Sequence, residues 1–315
     1  MVMGKMMTYS KLSKKPNLFR AFTGLRIEEF DRLYKTIESK YEEYENERLD
    51  RPDRKRAIGQ GRKFKLELLN RLIMLLVYYR LYITHSLTGF LFDLDQSNVH
   101  RNIRHLEPLV KNCLPLPKRV RKKIKWIGDI NELLKYFPDM KAFLDATEQE
   151  IPRPKNKRRR KSYYSGKKKR HTVKTQIITN KDGLIIDLTG HERGKKHDYE
   201  IFKRKHPPLP PDVEVDADSG YQGIQKDFPS LKSKIPVKKP RGKSLEKKDK
   251  KHNRSLSKER VVVEHVIGRM KKFKIMGDKF RNRLTRYDTM TSVISGLINF
   301  RVMLQGEFDL DEFVM

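Results

Sequence analysis

Cysteine is almost missing from this 315-residue chain: Cys113 is the only one. An intrachain disulfide is excluded, and so is a zinc site built on paired thiolates. A reducing compartment fits that usage. Long apolar runs are missing too. A run such as 72–79 falls far short of the roughly 20 residues that cross a bilayer, and 1–15 lacks the apolar centre of a signal peptide. The expectation is a soluble, cytoplasmic protein. Acids are scarce relative to bases. Lys and Arg number 72 and Asp and Glu 40, a formal net charge of +32. The polyanion that meets such a surface is nucleic acid. A membrane surface fits less well, because the basic residues do not share one amphipathic helix with an apolar stretch. Apolar residues, at 37%, suffice for one full core and one small one, so two domains are expected.

What is present changes character along the chain. Residues 27–44 carry Phe30, Leu33, Tyr34 and Ile37 at helical spacing. Residues 46–63, with Pro52, Gly59 and Gly61, read as a connector, and 66–80 as a buried helix. Two shorter helices are expected at about 84–92 and 96–107, separated by Asp93-Leu94-Asp95, with Asp95 as N-cap and Pro108 just past the end. This is the outline of a helix-turn-helix whose second helix would offer Gln96, Ser97, His100, Arg101 and Arg104 to the major groove. An ordinary helical hairpin is the competing reading. Residues 114–125, with Pro115 and Pro117, read as a linker, and Trp126 as a packing residue beside it.

From Lys141 strands are expected. Ala142-Phe143-Leu144 is apolar and runs into Asp145. Residues 172–179 and 184–188 are rich in Val, Ile and Thr around Asp182-Gly183, a hairpin signal. A helix at 197–205 would end at the prolines of 207–211. A strand at 213–217 leads into Asp218-Ser219-Gly220-Tyr221, 235–237 is a possible last strand, and helices follow at 257–275 and 284–304. The order is that of a mixed α/β domain. Residues 153–170 hold eleven basic residues and no acid; 238–260 hold eleven and three acids. Such blocks are usually solvated and unstructured on their own. Their place beside the acids discussed next favours phosphate-binding loops.

In so basic a chain, acids in apolar settings are the informative ones. Asp145 follows a buried-strand pattern, where a carboxylate is costly without a partner or a metal. Asp218 ends a second strand, with Gly220 and Gly223 allowing a sharp turn. Glu264 lies at the margin of a helix whose core stripe is Val262, Val263, Val266, Ile267, Met270 and Phe273. Its own face carries Arg260, Gly268 and Lys271. Each acid taken singly reads as solvated or salt-bridged; the three contexts together make a plausible metal triad. Asp216 competes with Asp218.

Leu144-Asp145-Ala146-Thr147-Glu148, the hairpin, His197-Asp198-Tyr199, Asp216-Ala217-Asp218-Ser219-Gly220-Tyr221 and Val263-Glu264-His265-Val266-Ile267-Gly268-Arg269-Met270-Lys271 occur in an order that resembles the DDE transposases of bacterial insertion sequences and their Harbinger-type relatives. The resemblance covers roughly 141–304. It implies an RNase-H-like, retroviral-integrase-like catalytic domain preceded by an all-α helix-turn-helix domain. It puts the three metal-binding acids at Asp145, Asp218 and Glu264, with Mg²⁺ or Mn²⁺ as cofactor, two ions being expected. It also implies water as nucleophile for nicking and a 3′-hydroxyl for strand transfer. The Ser-Gly-Tyr that follows favours Asp218 over Asp216, and the basic stretch at 153–170 is a departure from the family pattern. Expected domains are 1–112 for DNA binding, a linker at 113–140, catalysis at 141–304 and a tail at 305–315.

Residues around the triad carry paired readings. His197 and Asp198 either position substrate and metal acids or merely start a helix. Tyr221 either stacks on a base or packs in the core. Arg269, Lys271, Lys272 and Lys274 either contact phosphates or form a solvated face. A transposase of this kind joins two double-stranded DNA element ends to one DNA target, so a homodimer or larger assembly on DNA, associated with the nucleoid, is expected. The rival functions are a catalytically inactive, domesticated DNA-binding protein and a plain nuclease of the same fold.

Overall fold

The computed structural model describes residues 6–50, 52, 61, 63–120, 141–205, 209, 213–240, 242, 244–306 and 310. Trp126, the prolines of 207–211, and the greater part of the expected segments at 51–62, 113–140 and 305–315 lie outside the described residues. The chain forms two compact units. The first runs to Leu114 and takes in Lys272–Ile275; the second begins at Pro115.

The first unit is helical: α1 (Tyr9–Leu12), α2 (Pro16–Thr23), α3 (Ile27–Leu49), α4 (Leu68–Leu81), α5 (His85–Phe92) and α6 (Gln96–Asn112). Helix α4 is its axis. Every residue from Arg71 to Tyr79 is buried, as its all-round apolar sequence predicts. Arg71 is the exception in character. Its guanidinium donates to Asn102 Oδ1 (2.7 Å), Tyr41 Oη (2.9 Å) and His105 Nδ1 (2.5 Å), so the buried charge is fully hydrogen-bonded. Helix α3 runs on to Leu49, into the start of the expected connector.

Helices α5 and α6 form the expected pair. The Thr84 hydroxyl accepts from Leu87 N–H, and Asp95 Oδ1 from Ser97 N–H at 2.7 Å. Between them Asp93 takes the left-handed conformation at φ 52°. The turn is tight enough that a Cβ on Gly89 would sit 2.3 Å from the Leu94 carbonyl oxygen. One expectation is corrected. Helix α6 does not stop before Pro108 but passes through it to Asn112. Proline removes one ladder hydrogen bond, and burial of Leu106, Leu109 and Val110 on the same helix outweighs that loss.

The second unit is a mixed α/β assembly. Strands β1 (Lys141–Glu150), β2 (Tyr164–Ser165), β3 (Arg170–Thr179), β4 (Ile185–Leu188), β5 (Glu192–Arg193), β6 (Glu214–Ala217) and β7 (Ser233–Lys234) form one sheet in the order β2-β3-β1-β6-β7, with β4 and β5 also pairing with β3. Strands β1 and β3 are antiparallel, whereas β1, β6 and β7 run parallel. The β3–β4 hairpin forms as expected. Gly183 supplies φ 82°, and Asn180 Oδ1 accepts from the backbone N–H groups of Asp182 and Leu184. Helix α7 (Lys157–Tyr163) orders part of the basic block at 153–170, for which the sequence predicts a loop.

Helix α8 (Asp198–Lys205) and the short α9 (Ile224–Asp227) flank β6 in sequence. Helix α10 (Lys247–Lys271) begins ten residues before the expected 257 and packs against β1, β3 and β6. Helix α11 (Tyr287–Gln305) packs on α10 and β4. Its Asn299 side chain accepts from Ile185 N–H and donates to Ile185 C=O, standing in for a strand partner. The possible strand at 235–237 is not one: β7 is two residues, Ser233–Lys234. Pro236 lacks the N–H that a ladder needs.

Candidate functional site

Two neighbouring strands bring the first two acids together. Strands β1 and β6 are parallel, with Leu144 opposite Ala217. The register ends at that pair; Asp145 is the next residue of β1, and Asp218 follows directly on the end of β6. Asp145 Oδ1 accepts from Ala146 N–H (2.7 Å), and its other oxygen lies 3.9 Å from Arg260 on α10. Burial pushes the Asp145 carboxyl above the ordinary carboxylate range. The Ala146 N–H and Arg260 oppose the rise, and the charges of Asp218 and Asp198 add to it. Asp218 caps the single turn at Ser219–Tyr221, accepting from Ser219 Oγ (2.9 Å) and Gly220 N–H (3.3 Å). Gly223, at φ 97°, lets the chain reverse against the Tyr199 ring.

Glu264 is exposed on α10. At about 100° per residue, Arg260, Glu264 and Lys271 lie within roughly 40° of one another around the helix. Arg260 contacts Asp145, and the Lys271 ammonium feels Asp145 and Glu148. Loss of solvent and the nearby Lys168 lower the Lys271 pKa. Glu264 is therefore on the side of α10 that faces Asp145, and Gly268 beside it leaves open space. Among the described residues, Asp145, Asp218 and Glu264 do not close to the 4.8 Å oxygen spacing at which three acids would share one ion; Glu214, Asp216 and Glu259 do. Arg260 is the near cation of Asp145 here.

Beside these acids lies an open cleft of about 1060 Å³. Glu148, Asp198 and Asp218 line it, under a wall that includes Arg153, Lys157, Arg160, Lys161 and Lys167. His197 also lines the cleft. The Asp198 carboxylate accepts from Lys174 Nζ (2.9 Å), and the same ammonium lies 3.4 Å from Glu148. Glu148 Oε2 in turn accepts from Thr172 Oγ1. A Cβ on Gly194 would lie 2.0 Å from that hydroxyl, so only glycine lets the loop before His197 lie so close to β3. Tyr221 is 1% exposed, accepts from Gln176 Nε2 at 3.0 Å and packs edge-on against Phe202. It is a core residue, which removes the base-stacking alternative. Burial raises its pKa, so it stays neutral. Glu148, Lys174 and Gln176 do not stand out in the sequence as site residues. A signal for Lys174 is nonetheless there: a lysine in the apolar-rich interior of a strand needs a buried counter-ion.

Gln96, Ser97, His100, Arg101 and Arg104 are all exposed on one face of α6, opposite buried Val99, Ile103, Leu106 and Val110. His85, Gln96, Ser97, His100 and Arg101 line a shallow hollow. Arg269 and Lys271 are exposed in the second unit; Lys272 and Lys274 are exposed and fall in the first.

The family model for DDE superfamily endonuclease matches residues 144–299, and that for the helix-turn-helix of DDE superfamily endonuclease matches residues 64–116. The chain is 35% identical over 260 residues to the probable transposase for insertion sequence element IS702 of Microchaete diplosiphon, covering 81% of this chain and 88% of that one. It is 24% identical over 269 residues to the putative transposase for insertion sequence element IS112 of Streptomyces albus G, covering 84% and 88%. No solved structure matches. A helix-turn-helix ahead of an acid-floored, basic-walled α/β cleft defines a DDE superfamily endonuclease. Within that class, the chain belongs to the transposases of bacterial insertion sequences.

Proposed function

We propose that the protein binds the terminal inverted repeats of its own element through α6, and cuts and joins DNA at Asp145, Asp218 and Glu264 within an RNase-H-like domain. One observation carries the reading: Asp145 on β1 and Asp218 just past the end of the neighbouring β6 are close enough for their charges to interact, and Asp218 lines a cleft walled by lysine and arginine. Carboxylate oxygens are the hard donors that Mg²⁺ and Mn²⁺ take. Asp145, Asp218 and Glu264 would hold two such ions, which supply an activated attacking oxygen and a stabilised leaving oxygen.

The remaining work falls to the chain itself. Lys157, Arg160, Lys161 and Lys167 neutralise the phosphates of the strand entering the cleft. Arg269, Lys271, Lys272 and Lys274 extend that neutralisation without reading sequence. Arg260 offsets the charge of Asp145. Lys174 fixes Asp198, and with His197 that carboxylate positions the acids and the scissile strand. Water attacks for nicking and a 3′-hydroxyl for joining. In each, a new phosphorus–oxygen bond forms as the old one breaks, and no protein nucleophile intervenes.

Residues 1–112 bind the ends, 113–140 link, 141–304 catalyse and 305–315 form a tail. The working form is a dimer or larger, since two ends meet one target, and it acts at the nucleoid. Among the described residues no helix is long and apolar enough to cross a membrane. The test is a joining assay with pre-cut terminal duplexes, a plasmid target and Mg²⁺. Joined products are expected from the natural protein and none from Asp145→Asn, Asp218→Asn or Glu264→Gln. Hydrolysis without joining would leave a plain nuclease, and joining by any of the three variants would remove that residue from the site.

A further inference from the structure

The second unit holds another group of acids that the cleft does not use. Glu214 and Asp216 on β6 and Glu259 on α10 bring one carboxylate oxygen each to within 4.8 Å of one another. Asp216 is fully buried, at 0% exposure, and neither of its oxygens has a hydrogen-bond partner. Lys141 Nζ lies 2.5 Å from Glu259 and 3.4 Å from Glu214, and Lys234 Nζ lies 2.7 Å from Glu214. Both ammonium groups pair directly with the two outer acids and reach Asp216 only through their charge. Three carboxylates against two ammonium groups leave one negative charge uncompensated, and the buried Asp216 is where a counter-charge is missing. An unpaired carboxylate with no solvent is among the costliest groups a fold can hold.

We propose that Glu214, Asp216 and Glu259 bind a hard divalent cation that pins α10 to β6. One oxygen from each acid lies within 4.8 Å of the other two, a spacing from which all three can converge on one hard cation such as Ca²⁺ or Mn²⁺. None of the three acids is among the residues lining the cleft, and Asp216 itself is closed to solvent. Its role is structural. It fixes the helix that carries Arg260 one residue on and Glu264 a turn further, and so sets where Arg260 meets Asp145. Lys141 is the competing cation at the same acids and is only partly buried, so it can swing outward when the ion enters.

The test uses the full-length protein carrying Asp145→Asn, Asp218→Asn and Glu264→Gln, which removes the ligands proposed for catalysis. Mn²⁺ binding is followed by electron paramagnetic resonance, and melting temperature is read with and without Mn²⁺ or Ca²⁺. The expected result is one Mn²⁺ retained per chain and a rise in melting temperature with either ion. Adding Asp216→Asn, a near-isosteric change, abolishes both. Adding Glu259→Gln at the more exposed ligand weakens binding without threatening the core, and Lys141→Met tightens it. If the triple variant binds no Mn²⁺, or binds it equally well after Asp216→Asn or Glu259→Gln, the lysines are the only counter-ions and the site does not exist. Any difference in bound Mn²⁺ between the natural protein and the triple variant reports the catalytic site alone, so that reading can fail without this one.

Discussion

The proposed α6 reader and the proposed acid site are built in opposite ways. The reader is local: Thr84, Gly89, Asp93, Asp95 and the exposed face of α6 all come from about twenty consecutive residues, each turn fixed by its immediate neighbours. The acid site is assembled. Asp145 comes from β1, Asp218 from the turn after β6, and Asp198 and Glu264 from two helices; pairing of β1 with β6 brings Asp145 and Asp218 near each other. The first presents uncharged and cationic groups to solvent, where desolvation costs little. The second gathers like charges in partial burial, which raises the Asp145 pKa and makes a cationic partner necessary. A site that reads sequence can be a surface, whereas one that breaks phosphodiesters must confine charge.

If that contrast is right, the two sites fail separately. Asp145→Asn, Asp218→Asn or Glu264→Gln should each lower cleavage more than about a thousandfold. Gel-shift affinity for the terminal repeat should barely change. Next in size, Gln96→Ala with Arg101→Ala should weaken end-specific affinity by about 1–3 kcal/mol for each base-edge hydrogen-bonding pair removed, while cleavage of DNA held at saturating concentration proceeds. Parallel loss of both activities in either set would merge the two sites into one.

A smaller effect separates phosphate neutralisation from sequence reading. Lys157→Ala, Arg160→Ala and Lys161→Ala together should weaken binding to any duplex and reduce the salt slope by about 0.9 for each phosphate no longer neutralised. An unchanged slope would take these residues off the DNA path. The smallest is a pH effect confined to the helical unit. His105 Nδ1 accepts from Arg71, so the ring is neutral, and burial with the Arg71 charge lowers its pKa against the opposing pull of Glu45. The unfolded chain then binds the extra proton first, so stability falls as pH drops below about 6.5. Melting curves at pH 8 and 5.5 should show this fall, and His105→Gln should flatten it.

Much of the reader was legible because its signals are short-range: caps, a left-handed turn and a helical stripe. Pro108 misled because its local rule lost to burial of Leu106, Leu109 and Val110. The β3–β4 hairpin was legible for the same short-range reason, through Asp182-Gly183. The acids were visible as candidates, but their company was not. Lys174 bridging Glu148 and Asp198, and Arg260 beside Asp145, depend on strand register and on how α10 crosses the sheet. No spacing in the chain encodes either. Tyr221 reads from sequence as a core tyrosine with base stacking as the alternative, and Gln176 and Phe202 around it decide for the core.

The most direct test of the central claim is anomalous diffraction from the protein bound to its terminal DNA and Mn²⁺. Two manganese peaks coordinated by Asp145 and Asp218, with Glu264 reaching at least one, is the predicted result. Manganese bound at the scissile phosphate without these three carboxylates, or Glu264 turned away from it, would contradict the account.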